Sequence, residues 1–253
     1  MDAVLSLREV WLSFPRGDRH VVRVLAGVSL QLRAGEVVTV VAQRAQGKTS
    51  LLRVAAGMER PDRGSVQFMG QELWSLSDRR RSHLLRGQIG LVERVAPPLD
   101  LPVLAGVALP LLDTHGRREA YARAREALRY VGASECSRQH WGELADWERA
   151  LVALAHGIAS EPRLLLVDDL TATLGIGERH EISELLGRLA GERETAVLFC
   201  ANDPGVSSGT ADRIASLSGG TLMASTSTPP PTPGPGRGNI IDFPGERPQR
   251  ASF

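Results

Sequence analysis

Residues 35–50, read as GEVVTVVAQRAQGKTS, limit what this chain can fold into more than any other stretch. Val37 to Val41 form a short apolar run rich in β-branched residues, the pattern of a strand buried in a parallel sheet. Gln43 to Gln46 are mostly polar. Gly47, Lys48, Thr49 and Ser50 then open an apolar-periodic segment (Leu51, Leu52, Val54, Ala55, Ala56) that reads as a helix stopped by Gly57. Strand, loop, Gly-Lys-Thr and helix are the layout of a phosphate-binding loop. In that layout backbone N–H groups cradle phosphates, the lysine reaches the terminal ones and the hydroxyl holds Mg²⁺. The match is partial, because Ala42 and Ala45 stand where the pattern carries glycine. Gly-Lys-Thr can also open any helix, so the motif alone leaves a purely structural reading open. Of the 30 basic residues Lys48 is the only lysine, which fits a position that needs a flexible ammonium rather than a planar guanidinium.

With 253 residues, 42% of them apolar, the chain can build one sizeable core or a core with a satellite subdomain. A net charge of +1 gives no bulk attraction to nucleic acid or to an anionic membrane. Cys136 and Cys200 are isolated and read as reduced core thiols. The sequence has no apolar run of about 18 residues and no signal-peptide layout, so a cytoplasmic protein is expected, with docking on a membrane protein left open.

Residues 3–10 and 22–32 alternate apolar and polar, the signature of antiparallel strands with one solvated face. Pro15–Asp18 turns between them. Phe14 reads either as edge packing or as a face for stacking a base. Ser65–Met69 is another exposed-sheet strand, Ser77–Arg86 a basic helix and Ile89–Val92 a short buried strand. Residues 97–110 are apolar and broken by prolines. Helical periodicity follows over Arg117–Val131, stopped by Gly132, and over Trp147–Ala159. Leu164–Val167, a helix on Ile182, Leu185, Leu186 and Leu189, the strand Val197–Ala201 and a closing hairpin (214–217 with 222–224) complete the order. Strands alternating with helices after a phosphate loop predict a doubly wound α/β fold. From about Ser225, STSTPPPTPGPGRG cannot bury a core and is expected to be an extended tail. Within it, residues 239–243 (NIIDF) read as incidental or as a docking peptide.

An apolar strand ending in two carboxylates, Leu164-Leu165-Leu166-Val167-Asp168-Asp169, is the counterpart that a phosphate loop needs. The first carboxylate can hold Mg²⁺ and the second can orient or deprotonate a water. Two such aspartates could also simply cap the next helix. Over residues 4–224 the order of these motifs resembles the ATP-binding subunit of ABC transporters. GMERPDRGSVQFMGQEL follows the loop, IGLVER stands at the glutamine loop, and GELADWERALVALAHGIASEPRLLLVDDLTATLG resembles the signature helix running into the acidic strand. VALPLL is most similar to the class serving lipoprotein release, macrolide-type efflux and cell division.

That resemblance implies a P-loop NTPase fold: a mainly parallel sheet flanked by helices, an N-terminal antiparallel β subdomain, and an α-helical insertion at about 95–160. The ATP-binding domain would span 1–224, with 225–253 as a Pro/Gly-rich disordered tail. It implies ATP and Mg²⁺ bound by Phe14, Gln43, Arg44, Ala45, Gln46, Gly47, Lys48, Thr49, Ser50, Arg94 and Asp168, with Thr49 and Asp168 as the metal ligands. Expected partners are a transmembrane permease and a second ATP-binding subunit, identical or not, on the inner face of the membrane, with no nucleic acid.

Departures from the family pattern are numerous. Arg94 replaces the glutamine, Ala145-Asp146-Trp147 replaces Ser-Gly-Gly, and Gly175 replaces the aspartate of the next loop. Asp169 stands at the catalytic glutamate and Asn202 at the phosphate-sensing histidine. Ala42 and Ala45 at positions wanting glycine would cost roughly 1–3 kcal/mol if they forced positive φ. Asp169 is about one methylene short of the reach that in-line water attack needs. Asp146 facing a γ-phosphate about 4 Å away would cost roughly 4 kcal/mol at an effective dielectric near 20. The expectation is nucleotide binding with weak or absent hydrolysis; the alternatives are a non-catalytic scaffold and an ordinary transport ATPase that tolerates the changes.

Overall fold

In a computed structural model, residues 3–16, 20–93, 100–203 and 210–227 are described. Arg94 and the 239–243 patch of the tail lie outside them. The expected two-part sheet architecture is present. Strands β1 (Ala3–Arg16), β2 (His20–Arg33), β4 (Arg63–Phe68) and β5 (Gln71–Glu72) form an antiparallel sheet in the order β2-β1-β4-β5. The second sheet has the order β10-β9-β3-β8-β7-β6, built from β3 (Val37–Val41), β6 (Ile89–Glu93), β7 (Leu164–Asp168), β8 (Ala196–Ala201), β9 (Arg213–Ser218) and β10 (Thr221–Ser227). All its pairings are parallel except the β9–β10 hairpin.

The apolar runs in β3, β7 and β8 are explained by a sheet covered on both faces. Leu164, Leu166, Leu198 and Cys200 enter one core with the antiparallel sheet and helix α1 (Lys48–Ala55). Leu165, Val167, Val197 and Phe199 enter the other, with helices α3 (Val103–Ala108), α4 (Arg117–Val131), α5 (Asp146–Ile158) and α6 (Ile176–Arg193). Helix α4 has the bounds its periodicity predicts, and its buried face carries Ala120, Ala124, Ala127, Leu128 and Val131. Helix α2 (Asp78–Leu85) starts after Ser77, whose hydroxyl accepts from the Arg80 N–H.

Helix α5 presses directly on β6. A Cβ on Gly90 would lie 2.1 Å from the Gly157 carbonyl oxygen, so this contact requires bare backbone on the strand.

Three details differ from the sequence reading. The proline-flanked 97–110 stretch contains α3, whose six residues are too few for periodicity to reveal. Strands β1 and β2 extend to a closer turn than expected, with Pro15 paired to Val21 and Arg16 to His20. Strand β10 continues three residues past the composition change, pairing Ser225 with Ile214 and Ser227 with Arg213. Among the described residues no helix is long and apolar enough to cross a membrane.

Candidate nucleotide site

The C-terminal ends of β3, β6, β7 and β8 converge on one edge of the parallel sheet, the usual position for a ligand crevice in open α/β folds. β3 continues into the loop through Ala42, whose N–H bonds to the Ala201 carbonyl at 3.0 Å. Ala42 therefore prolongs the strand and is not among the positive-φ residues; the strain expected of it is absent. Ala45 does adopt positive φ (61°), as does Gly47 (98°) just before α1. A Cβ on Gly47 would sit 2.8 Å from the Val24 carbonyl oxygen, so the loop is wedged under β2.

Lys48 is only 7% exposed. Its ammonium donates to the carbonyls of Ala42 (2.7 Å) and Gln43 (3.0 Å) and to Asn202 Oδ1 (2.7 Å). One residue on, Thr49 Oγ1 donates to Asp168 Oδ2 at 2.6 Å, joining α1 to the end of β7. Burial, with the neighbouring Asp169 carboxylate adding to it, raises the Asp168 pKa against the opposing pull of the Thr49 hydrogen bond and Lys48. Burial likewise pushes the Cys200 thiol far up, so it takes no part as a thiolate.

Asp169 has φ 45°, an uncommon conformation for a residue with a side chain, and its N–H bonds to the Cys200 carbonyl at 2.9 Å. Its Oδ2 accepts from Asn202 Nδ2 at 2.6 Å. Its Oδ1 is sealed from solvent and has no hydrogen-bond partner among the described residues.

These groups border a cleft of about 670 Å³. Phe14, Arg44, Ala45, Gly47, Lys48, Thr49, Ser50, Asp168 and Asp169 line it, as the sequence suggests, together with Val24, Glu93 and Ala172, which it did not single out. Glu93 arrives because β6 pairs in parallel with β7, setting it beside Asp168. A short apolar strand ending in a carboxylate was the signal available for it. Three described candidates, Gln43, Gln46 and Asn202, do not line the cleft. Gln43 offers its carbonyl to Lys48, and Gln46 Oε1 turns away to accept from the Gly219 N–H at 3.0 Å. Asn202 bonds to two residues that do line it, Lys48 and Asp169. Phe14 is 38% exposed at the mouth.

Ala145, Asp146 and Trp147 do not border this cleft. The Ala145 N–H is taken by Glu148 Oε2 at 2.8 Å, Asp146 pairs with Arg149 at 3.2 Å, and Trp147 packs on the helical core. An anion approaching the α5 N-terminus would thus meet one N–H already occupied and two carboxylates in the first turn.

The sequence model of the family described as ABC transporter matches residues 25–172. The chain belongs to the ABC transporter ATP-binding family. It is similar to the lipoprotein-releasing system ATP-binding protein LolD of Chromohalobacter salexigens, 36% identical over 79% of this chain and 85% of that protein. To LolD of Pseudomonas syringae it is 34% identical over 87% of this chain and 97% of the relative. The bacterial ABC transporter cassette MJ0796, solved as a dimer, superposes with a TM-score of 0.78 at 25% identity over 86% of this chain and 96% of that one. The same cassette has also been solved bound to ADP and Pi. The family's mixed sheet with an antiparallel N-terminal portion is the architecture seen here.

Proposed function

We propose that this chain is the ATP-binding subunit of an ABC-type membrane transport complex, in which nucleotide binding is retained and hydrolysis is weak or absent. The observation that carries this reading is the contrast at the end of β7. Thr49 and Asp168 meet at 2.6 Å beside Lys48, whereas Asp169 has one oxygen held by Asn202 and the other sealed from solvent.

In this reading Phe14 stacks on the base, the 43–48 backbone and Arg44 surround the phosphates, and Lys48 supplies the buried positive charge. The Thr49 hydroxyl and the Asp168 carboxylate fit a Mg²⁺ site. Mg²⁺ takes few protein oxygens and completes its shell with phosphate and water, and burial, which raises the Asp168 pKa, makes an added cation there favourable to its ionised form. When bound, Mg²⁺ would neutralise charge on the phosphate oxygens. Asp169 is short, with Oδ2 held by Asn202 and Oδ1 sealed from solvent, so it is poorly placed to hold an attacking water. Arg94 and Asn202 are part of the same proposal, as the residues in place of a glutamine and a histidine.

The names of its relatives support extending the reading to a role in lipoprotein release or a similar export process; a permease partner and peripheral attachment at the cytoplasmic face belong to the same proposal. Pairing with a second ATP-binding subunit, identical or different, belongs to the same reading. So do an ATP-binding domain spanning 1–224 with its helical part near 95–160, and the tail beyond. A chain with Ala145-Asp146-Trp147 would serve the opposite nucleotide poorly, which favours a partner subunit that supplies a competent signature.

A second reading, a nucleotide-free scaffold or regulator, is favoured by one observation: all three Lys48 donors already have acceptors. Thermal unfolding with ATP and Mg²⁺ separates the two. Nucleotide at about ten times its Kd stabilises the fold by about 1.4 kcal/mol. No shift at millimolar nucleotide supports the scaffold.

A further inference from the structure

We infer that Asn202 is a latch that holds the nucleotide-free site closed on itself, by bridging Lys48 to Asp169 through both ends of its amide. The inference rests on the nucleotide-binding reading above. Lys48 has three donors and three acceptors, and two of those acceptors, the Ala42 and Gln43 carbonyls, belong to the loop that carries it. Only the third, Asn202 Oδ1 at 2.7 Å, sits on a side chain that can withdraw. A phosphate oxygen therefore recruits Lys48 most directly by replacing Asn202.

Asn202 in turn is not free to leave. Its Nδ2 donates at 2.6 Å to Asp169 Oδ2, which fixes the amide with its oxygen toward the lysine. For Asp169 the bond is the more valuable because its Oδ1 has no partner among the described residues and its backbone sits at φ 45°. Releasing Asn202 would leave a half-buried carboxylate with neither oxygen hydrogen-bonded by a side chain. The amide thus links a cation and an anion that do not bond to each other directly. Entry of phosphate at Lys48 is coupled to release of Asp169. A protonated histidine could not make this bridge, because both of its ring nitrogens donate and neither could accept from Lys48.

The latch opposes nucleotide, so its removal has an unusual sign. Asn202→Leu keeps the volume and removes both hydrogen bonds; Asn202→Ala guards against a packing defect in the leucine variant. Titration of the full-length chain with ADP and with ATP, each with Mg²⁺, by calorimetry is expected to give about tenfold tighter binding in both variants, the worth of one charge-assisted hydrogen bond. In a double-mutant cycle the effects of Asn202→Ala and Asp169→Ala should be non-additive, since each opens the same bridge. Equal or weaker binding in folded Asn202 variants overturns the latch and makes Asn202 a bystander or a phosphate ligand. Additive effects also overturn it. Absence of binding in the wild type and in every variant overturns the nucleotide reading, and the latch falls with it.

Discussion

Replacing Gly47 with alanine tests whether the phosphate loop is held by backbone geometry. Gly47 has φ 98°, well outside the left-handed well that an L-residue tolerates, so alanine there costs roughly 1–3 kcal/mol in backbone strain. Its Cβ would also lie 2.8 Å from the Val24 carbonyl oxygen and 3.0 Å from Val24 Cγ1. Val24 sits at a register shift between the paired residues Arg23 and Leu25, and local overpacking against it costs roughly 1–3 kcal/mol. Against this, alanine reduces the freedom of the unfolded chain, a gain of about 0.4–1 kcal/mol. The net loss is about 1–5 kcal/mol, centred near 3 kcal/mol or roughly 6–12 °C in Tm for a domain of this size. Gly70→Ala is the control: φ is 76°, yet no atom lies within 4 Å of the added Cβ, so only backbone strain of about 1 kcal/mol remains. Thermal unfolding by circular dichroism should rank Gly47→Ala well below Gly70→Ala, and the former should lose stabilisation by ATP and Mg²⁺. Equal Tm losses in the two variants would refute the wedge against Val24.

Ala45→Gly relieves a positive φ (61°) that costs an L-residue about 1–2 kcal/mol, partly offset by about 0.5–1 kcal/mol of extra chain entropy. A gain of about 0.5 kcal/mol, or 1–2 °C, is expected in the melting curve, and a clear loss would show that Ala45 is not strained. Asp168→Asn should raise the Tm of the nucleotide-free protein at neutral pH while abolishing Mg²⁺-dependent nucleotide binding. The sign follows from the raised folded-state pKa: the stability contribution of Asp168 is fully present below the ordinary carboxylate range and lost as pH rises through the raised value. The difference between the two proteins should therefore shrink on acidification, and a Tm advantage that grows at low pH would contradict it.

Much of the site was readable because chemistry and local spacing coincide. Lys48 and Thr49 follow the β3 run directly, and Asp168 and Asp169 close β7, so strand ends alone bring Thr49 to 2.6 Å from Asp168. Val24, Glu93 and Ala172 were not readable in that way, because they reach the cleft through how strands and turns abut. The two alanines of the loop show the limit well. Sequence gives both the same expected cost, but Ala42 is absorbed as a continuation of β3 through its bond to Ala201, and only Ala45 takes positive φ. Resemblance to the family pointed to Asn202 as a weakened phosphate sensor. Its simultaneous bonds to Lys48 and Asp169 depend on the parallel pairing of β7 with β8 and β8 with β3, which no local pattern encodes.

On the proposed reading the chain keeps groups suited to phosphate and metal, Lys48, Thr49 and Asp168, while Asp169 is held by Asn202. The α5 N-terminus fits the same proposal, since Asp146 and Glu148 lie in its first turn and Glu148 takes the Ala145 N–H that this helix could otherwise offer to the opposite subunit's nucleotide. Phosphate release by the purified full-length chain with ATP and Mg²⁺, alongside Lys48→Ala, tests the account most directly. The account predicts nucleotide-dependent stabilisation in the wild type, its loss in Lys48→Ala, and turnover at least about a hundredfold below the roughly 10 s⁻¹ of a typical enzyme. Turnover of about 1 s⁻¹ or faster that disappears in Lys48→Ala would contradict it.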